Sequence, residues 1–517
     1  MKFMRRVLCV GLLFCLLMTN ALAMPFSEQA MYFLDKAGKV RFAANLSVTD
    51  WMPYSDTLLN PLNVLLNEVY LLGSYQTQDG AELSTLSIQV EDTALFTLSE
   101  KNKEGQSELV STLLPKRILQ ANDSVLATLF PTEDTTGNSF DPHVAFAELD
   151  ASYQELTDAI IPYAEEKKAN YNIKKIGRSN WSRIARLTPE QTNLLIPSLA
   201  KVLGAGMDEP FKQELMKMTT GNGFIIGLYQ SEKEGEDMAV YIKGTIYFAD
   251  ETARSLSFQW AFHEDDTSHM RTDTYKFEMK KNRAPTDHRL IYATHERSTI
   301  ENGLMEKGET EIILNQNNNV TKTVIDSDLK GMVVEGETTL LGSHTQQQTV
   351  TPYKKNATTT VHSYTPDITV ANGWLKGNVG YSVKVGKAFP IAMEIAFVDA
   401  PPTPTKGAVP TMPRAKALED SSLSQNWEEV LSVTNDPFVV SQPPLEMKTY
   451  PVPTESTVVV VNTTDIQEEL KAEMAQRLAS QMIGAIPSFS KEAQAFFSYS
   501  IDTEAFDTFF RSMDFSF

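Results

Sequence analysis

From Ser255 to Phe262 apolar and polar positions alternate. Leu256, Phe258, Trp260 and Phe262 fall on one side, and Ser255, Ser257, Gln259 and Ala261 on the other. A period of two belongs to a strand with one buried face. After a polar, His-bearing run, Tyr275, Phe277 and Met279 alternate with Thr274, Lys276, Glu278 and Lys280. Two such runs predict an antiparallel hairpin. The same pattern predicts strands near 40–48, within 70–99, and near 224–230, 240–250, 289–295, 309–314, 321–326, 332–340, 358–363, 374–385 and 391–398. The last is regular, with Ile391, Met393, Ile395 and Phe397 on one face.

The period changes to three and four between 141 and 220. Asp141-Pro142 is an N-cap acid before a proline at the first helical position. Phe146, Leu149, Tyr153, Leu156, Ile160 and Tyr163 then form one apolar stripe. Thr188-Pro189-Glu190-Gln191 has the form of a capping box, followed by Leu194, Leu195, Leu199, Val202 and Leu203 as a buried face and Gly204 as the stop. A shorter helix carries Phe211, Leu215 and Met218. Near the C-terminus Thr464-Asp465-Ile466-Gln467 opens another helix, striped by Ile466, Leu470, Met474, Leu478 and Met482.

These elements predict an α+β protein. A large twisted antiparallel β-sheet is covered on one face by amphipathic helices, with a small helical C-terminal segment. The expected organisation is a signal peptide at 1–23 and a main sheet domain at 24–398, with its helical block at 141–220. A proline-rich linker region follows at 399–455, then a helical segment at 456–517. In the linker Pro401, Pro402, Pro404, Pro410 and Pro413 predict an extended, semi-stiff chain.

The N-terminus adds a compartment. Lys2, Arg5 and Arg6 precede the apolar run 7–18, and Ala21-Leu22-Ala23 is a cleavage signal, the pattern of a secretory signal peptide. Both cysteines, Cys9 and Cys15, lie inside it, so the mature chain relies on its own core without disulfides. This suits an extracellular or cell-envelope protein of bacterial type. Removing the signal's three cations from the 46 basic residues leaves 43 against 66 acids, a formal charge of −23. Such an acidic chain is expected not to bind nucleic acid. No later stretch is apolar for long enough to form a transmembrane helix, so the mature chain is expected to have no transmembrane segment.

Candidate chemistry is sparse. His263, Asp265, Asp266 and His269 place imidazoles and carboxylates within seven residues, a donor set that suits a divalent ion. The spacing is not that of a zinc-binding helix, and solvated acids and histidines are common in a hairpin connection. No metal, cofactor or catalytic residue is assigned on this basis. The mature chain has no G-x-S-x-G elbow and no thiol. Lys167, Lys168, Lys174, Lys175, Arg178, Arg183 and Arg186 form a basic run that balances the acidic surface or meets an anionic polymer. Phe496, Phe497, Phe506, Phe509, Phe510 and Phe515 crowd the C-terminus.

The expected function is a secreted or cell-envelope, non-catalytic binding protein. An apolar, lipid-like small molecule or an envelope component is held between sheet and helices. The ligand face is then Leu256, Phe258, Trp260, Phe262, Tyr275 and Phe277. Two alternatives stand beside it: a surface interaction or structural module acting through the C-terminal segment, and a metal-assisted hydrolase.

Overall fold

The computed structural model describes residues 39–129, 140–166, 183–398 and 457–498, apart from short breaks within those ranges. The signal peptide, the proline-rich linker, Asp266, most of the basic run and the last four of the six C-terminal phenylalanines lie outside the described residues.

Twenty strands join into one sheet. The first six are β1 (Lys39–Trp51), β2 (Val69–Gln78), β3 (Ala81–Val90), β4 (Thr93–Lys103), β5 (Gln106–Ser111) and β6 (Arg117–Asn122). Short strands β7 (Ala164–Glu166) and β8 (Arg183–Arg186) lead into β9 (Phe224–Gln230), β10 (Asp237–Tyr247), β11 (Ala253–Asp265) and β12 (Met270–Lys281). Next come β13 (Asp287–Ile300), β14 (Gly303–Gln316), β15 (Asn319–Val334) and β16 (Glu337–Thr351). Finally there are β17 (Thr358–Ala371), β18 (Trp374–Val385), β19 (Ile391–Phe397) and β20 (Thr457–Val460). Antiparallel pairing runs stepwise from β7 to β19. There β1 joins between β19 and β2, and the meander continues to β6, which β20 joins in parallel. Among the described strands, β7 and β20 are the two ends of the sheet.

Tight turns make this meander possible. Asn317-Asn318 between β14 and β15 has two consecutive positive φ angles, and so does Asn372-Gly373 between β17 and β18. That is the backbone of two-residue hairpin loops, whose twist matches the strands they join.

The helices are α1 (Asp56–Asn67), α2 (Val125–Leu129), α3 (Pro142–Ile160), α4 (Pro189–Leu194), α5 (Ile196–Leu203), α6 (Glu209–Met216), α7 (Thr464–Ala485) and α8 (Lys491–Ser498). Asp141 caps α3 by accepting from the backbone N–H groups of His143 and Val144. The Thr188–Gln191 capping box starts α4. That helix breaks at Leu195, which turns Leu194 outward to 75% exposure instead of into the core.

Two separate cores result. One lies between α3, α5 and α6 and strands β9 to β14, and contains Phe146, Leu149, Leu203, Phe211, Trp260 and Phe277. The other joins β1 to β6 and the apolar ends of β15 to β19 with α1, α2, α7 and α8, through Leu46, Leu65, Leu109, Leu340, Leu470 and Met474. The opposite face of the sheet mixes Lys276, Glu278, Glu309, Glu311 and Lys322 with Leu290, Tyr292, Ile313 and Val324, and Lys322 pairs with Glu311.

This corrects the expectation of an α+β sheet covered on one face by helices. The described chain is mostly one 20-stranded sheet, and the described helices pack in two separate groups against it, one in each core. The reason is geometric. The 19 residues of α3 span about 28 Å, or about six strands at roughly 4.8 Å each. The middle strands were also harder to see. A strand expected at 332–340 straddles the turn between β15 and β16, and β16 continues through Thr345, Gln346, Gln347, Gln348 and Thr349, which show no apolar alternation. Its pairing rests on ladder hydrogen bonds and on side-chain pairs such as Thr349 Oγ1 to Thr359 Oγ1 at 3.0 Å.

Candidate functional site

One row of directly opposed residues crosses most of the sheet. From β10 to β1 it runs Met238, Phe262, Asp273, His295, Gly308, Ser327, His344, Tyr364, Tyr381, Met393 and Val48. Opposed residues share a face, so the row lies on the side that carries both cores. Its ends are apolar. Its middle, from Asp273 to Tyr381, is ionisable, hydroxylic or aromatic apart from Gly308.

At the first step of this band Asp273 is 3% exposed and fully engaged. Arg271 Nε donates to Asp273 Oδ2 at 2.8 Å and Trp260 Nε1 donates to Oδ1 at 3.2 Å. Arg271 also reaches Asp150 of α3 at 2.8 Å and lies over the Phe262 ring. Burial lowers the Arg271 pKa, but the hydrogen bonds and charges of Asp273 and Asp150 outweigh it, so the net shift is upward. This group clamps α3 to the sheet.

The next step gathers three ligating side chains from distant parts of the chain. His143, in the first turn of α3, joins His295 of β13 and Glu306 of β14, and one donor atom of each lies within 4.8 Å of the others. His295 Nε2 and His143 Nε2 both approach Glu306 Oε1, the latter at 2.9 Å. Phe146 stacks on the His295 ring, and the His143 ring meets it edge-on at 4.9 Å between centroids. His295 and Glu306 are 3% and 2% exposed. Burial alone raises the Glu306 pKa. The His295 hydrogen bond and the charges of His143, His295 and Arg297 outweigh it and hold the carboxyl below its ordinary value. Glu306 Oε2 is buried and accepts no hydrogen bond from any described residue.

Beyond this cluster the row becomes a half-buried band of rings. Ser327 Oγ and His344 Nδ1 lie 2.7 Å apart, and the Tyr364 and Tyr381 rings lie 4.9 Å apart. One pair further along the strands, His362 Nδ1 meets the Tyr381 hydroxyl at 2.9 Å. Burial lowers the His344 pKa, with the His143 charge adding to it, and burial lowers that of His362. Burial raises both tyrosines, so the band is uncharged at neutral pH.

These shifts carry a pH dependence. An unfolded histidine takes up a proton near pH 6.5, whereas folded His344 and His362 resist it until the pH is lower. Their contribution to stability is therefore complete above about pH 6.5 and declines as the pH falls from there toward the folded values. In urea melts, replacing both with glutamine should flatten the decline between about pH 7 and pH 5.5. An unchanged slope would contradict the assignment.

The residues singled out from the sequence are placed differently. Leu256, Phe258, Trp260, Phe262, Tyr275 and Phe277 do share one face, each at most 4% exposed, and pack on protein within the α3–α5–α6 core. His263 and Asp265 lie at the end of β11 and His269 in the turn before β12. The three-ligand group found among the described residues includes none of them. His143, Glu306, His344, Tyr364 and Tyr381 escaped sequence analysis, since their spacing matches no motif.

Two comparisons find nothing: no known protein family and no curated protein matches the chain. Solved structures that it resembles include OmpT, an outer membrane protein of Vibrio cholerae. Identity there is 8% and the TM-score 0.22, over 70% of this chain and 96% of that one. OccK11 (OpdR) of Pseudomonas aeruginosa is 8% identical with a TM-score of 0.20, over 69% and 93%. At these scores the likeness carries no argument about function. The expectation that the mature chain has no transmembrane segment does not stand, for a physical reason. That expectation tested helix length alone, and outer-membrane barrels cross with strands. What holds is narrower: no described helix is long and apolar enough to cross a membrane.

Proposed function

We propose that the protein is an exported cell-envelope protein that binds a ligand non-catalytically on the His/Tyr band between its two cores. The observation that carries this reading is the row itself. Two helix-covered cores occupy the ends of one sheet face, and between them the side chains change to half-buried rings and hydroxyls. A folding core gains nothing from that change, because buried polar groups cost free energy unless paired. The secretory pattern at 1–23 supports export.

The chemistry of the band suggests the ligand class. His344, His362, Tyr364 and Tyr381 are held neutral, and they offer ring faces together with hydrogen-bonding edges. An amphipathic molecule with an apolar body and hydroxyl or carbonyl groups fits such a surface better than an ion does. The space under α3, α5 and α6 is a poorer candidate. A cavity beside that core, lined by Arg254, Asp287 and Arg289 among others, measures only about 120 Å³. Ligand pockets usually need roughly 300 Å³ or more.

The test is mass spectrometry of small molecules extracted from protein purified out of its own envelope. One co-purifying amphipathic species is expected, reduced at least about tenfold in a Tyr364→Ala/Tyr381→Ala variant, a loss of about 1.4 kcal/mol. Protein that yields no such species, or a variant that retains it in full, would refute the reading.

A further inference from the structure

We propose that His143, His295 and Glu306 form a binding site for one divalent transition-metal ion of the zinc class. The site is separate from the ring band, and the inference does not depend on it. Two imidazoles and one carboxylate are a donor set that zinc takes readily, and three protein ligands leave one position open. All three donor atoms already lie within 4.8 Å of one another. They come from the first turn of α3 and from two neighbouring strands, so folding alone brings them together.

The second observation is Glu306 itself. At 2% exposure its Oε2 has no hydrogen-bond partner among the described residues. A buried carboxylate oxygen with no donor is costly, and a bound cation removes that cost. The present contacts are those of hydrogen bonds. Two ligand atoms on one tetrahedral zinc stand roughly 3.3 Å apart, so the two His–Glu contacts must lengthen by roughly half an ångström. Each imidazole then offers the Nε2 lone pair to the ion and keeps one proton at Nδ1. Phe146, stacked on His295, holds that ring in place while the cluster opens.

Arg297 offers the competing account. It stands opposite Glu306 in the register and contributes positive charge to it. A carboxylate balanced by Arg297 needs no ion. Calorimetric titration of the full mature chain, stripped by a chelator, with Zn²⁺ alone separates the two. One saturating equivalent is expected, with His143→Ala and Glu306→Gln each weakening affinity about tenfold or more. His269→Ala should leave the titration unchanged, because the loop histidine is outside the site. Co²⁺ in place of Zn²⁺ should give visible absorption that His143→Ala removes. Absent saturable binding, binding that persists in His143→Ala, or binding lost in His269→Ala would each overturn the proposal. If Glu306→Gln fails to fold, His143→Ala decides alone, since that side chain sits in the first turn of α3 at 18% exposure.

Discussion

Cutting Trp260 to alanine is expected to lower folding stability by about 3–5 kcal/mol, the usual range for a buried aromatic. Trp260 is 1% exposed. Its ring meets Tyr153 of α3 edge-on at 5.8 Å and lies 5.6 Å from Phe262. Its indole N–H also donates to Asp273, so the substitution removes packing and a polar contact together. Trp260→Phe keeps much of the volume, and Asp273 keeps Arg271, so a smaller loss of about 1 kcal/mol is expected. Gln259, one residue away on the outer face and half-buried, should cost about half a kcal/mol or less as alanine. Urea melts of the three variants check this. Equal losses at 259 and 260 would mean that the strand's facing is wrong.

Deleting residues 456–517 is expected to unfold the core built on β1 to β6 while the α3–α5–α6 core persists. Leu470, Met474 and Leu478 of α7 are all under 8% exposed and belong to the first of these cores. Each is worth about 2–5 kcal/mol against alanine, and a whole domain is stable by only about 5–15 kcal/mol. The deletion also removes β20 from the edge of β6, and the Arg117–Glu473 ion pair at 2.8 Å. The truncated chain should bind a hydrophobic dye and lose its lower melting transition. A second transition, followed in the near-ultraviolet signal around Trp260, should remain. Unchanged melting without dye binding would show the C-terminal segment to be an independent module.

Parts of this architecture were legible in the sequence because they are local. The alternation from Ser255 to Phe262 and from Thr274 to Lys280 marks β11 and β12, and their register puts Phe258 opposite Phe277. Asp141-Pro142 and the Thr188–Gln191 box mark two helix starts through hydrogen bonds made within three residues. The candidate site was not legible in the same way. His143 and Glu306 are 163 positions apart and meet at one oxygen. A fold has to be known before such a pair can be seen.

The sequence by itself determined which side of amphipathic strands such as β11 and β12 is buried and where the main helices begin. Side-chain period and capping chemistry are properties of a few neighbouring residues. Only the tertiary structure decided that the strands join into one 20-stranded sheet with a core at each end. It also decided that polar strands such as β16 complete the sheet, and that His295, Glu306, His344 and Tyr364 fall between the cores. Backbone hydrogen bonds are the same for every sequence and choose neither strand order nor register, which follow from turn geometry and packing spread over the whole chain. The row from Asp273 to Tyr381 exists because six hairpin registers happen to agree, and no single segment of the chain carries that information.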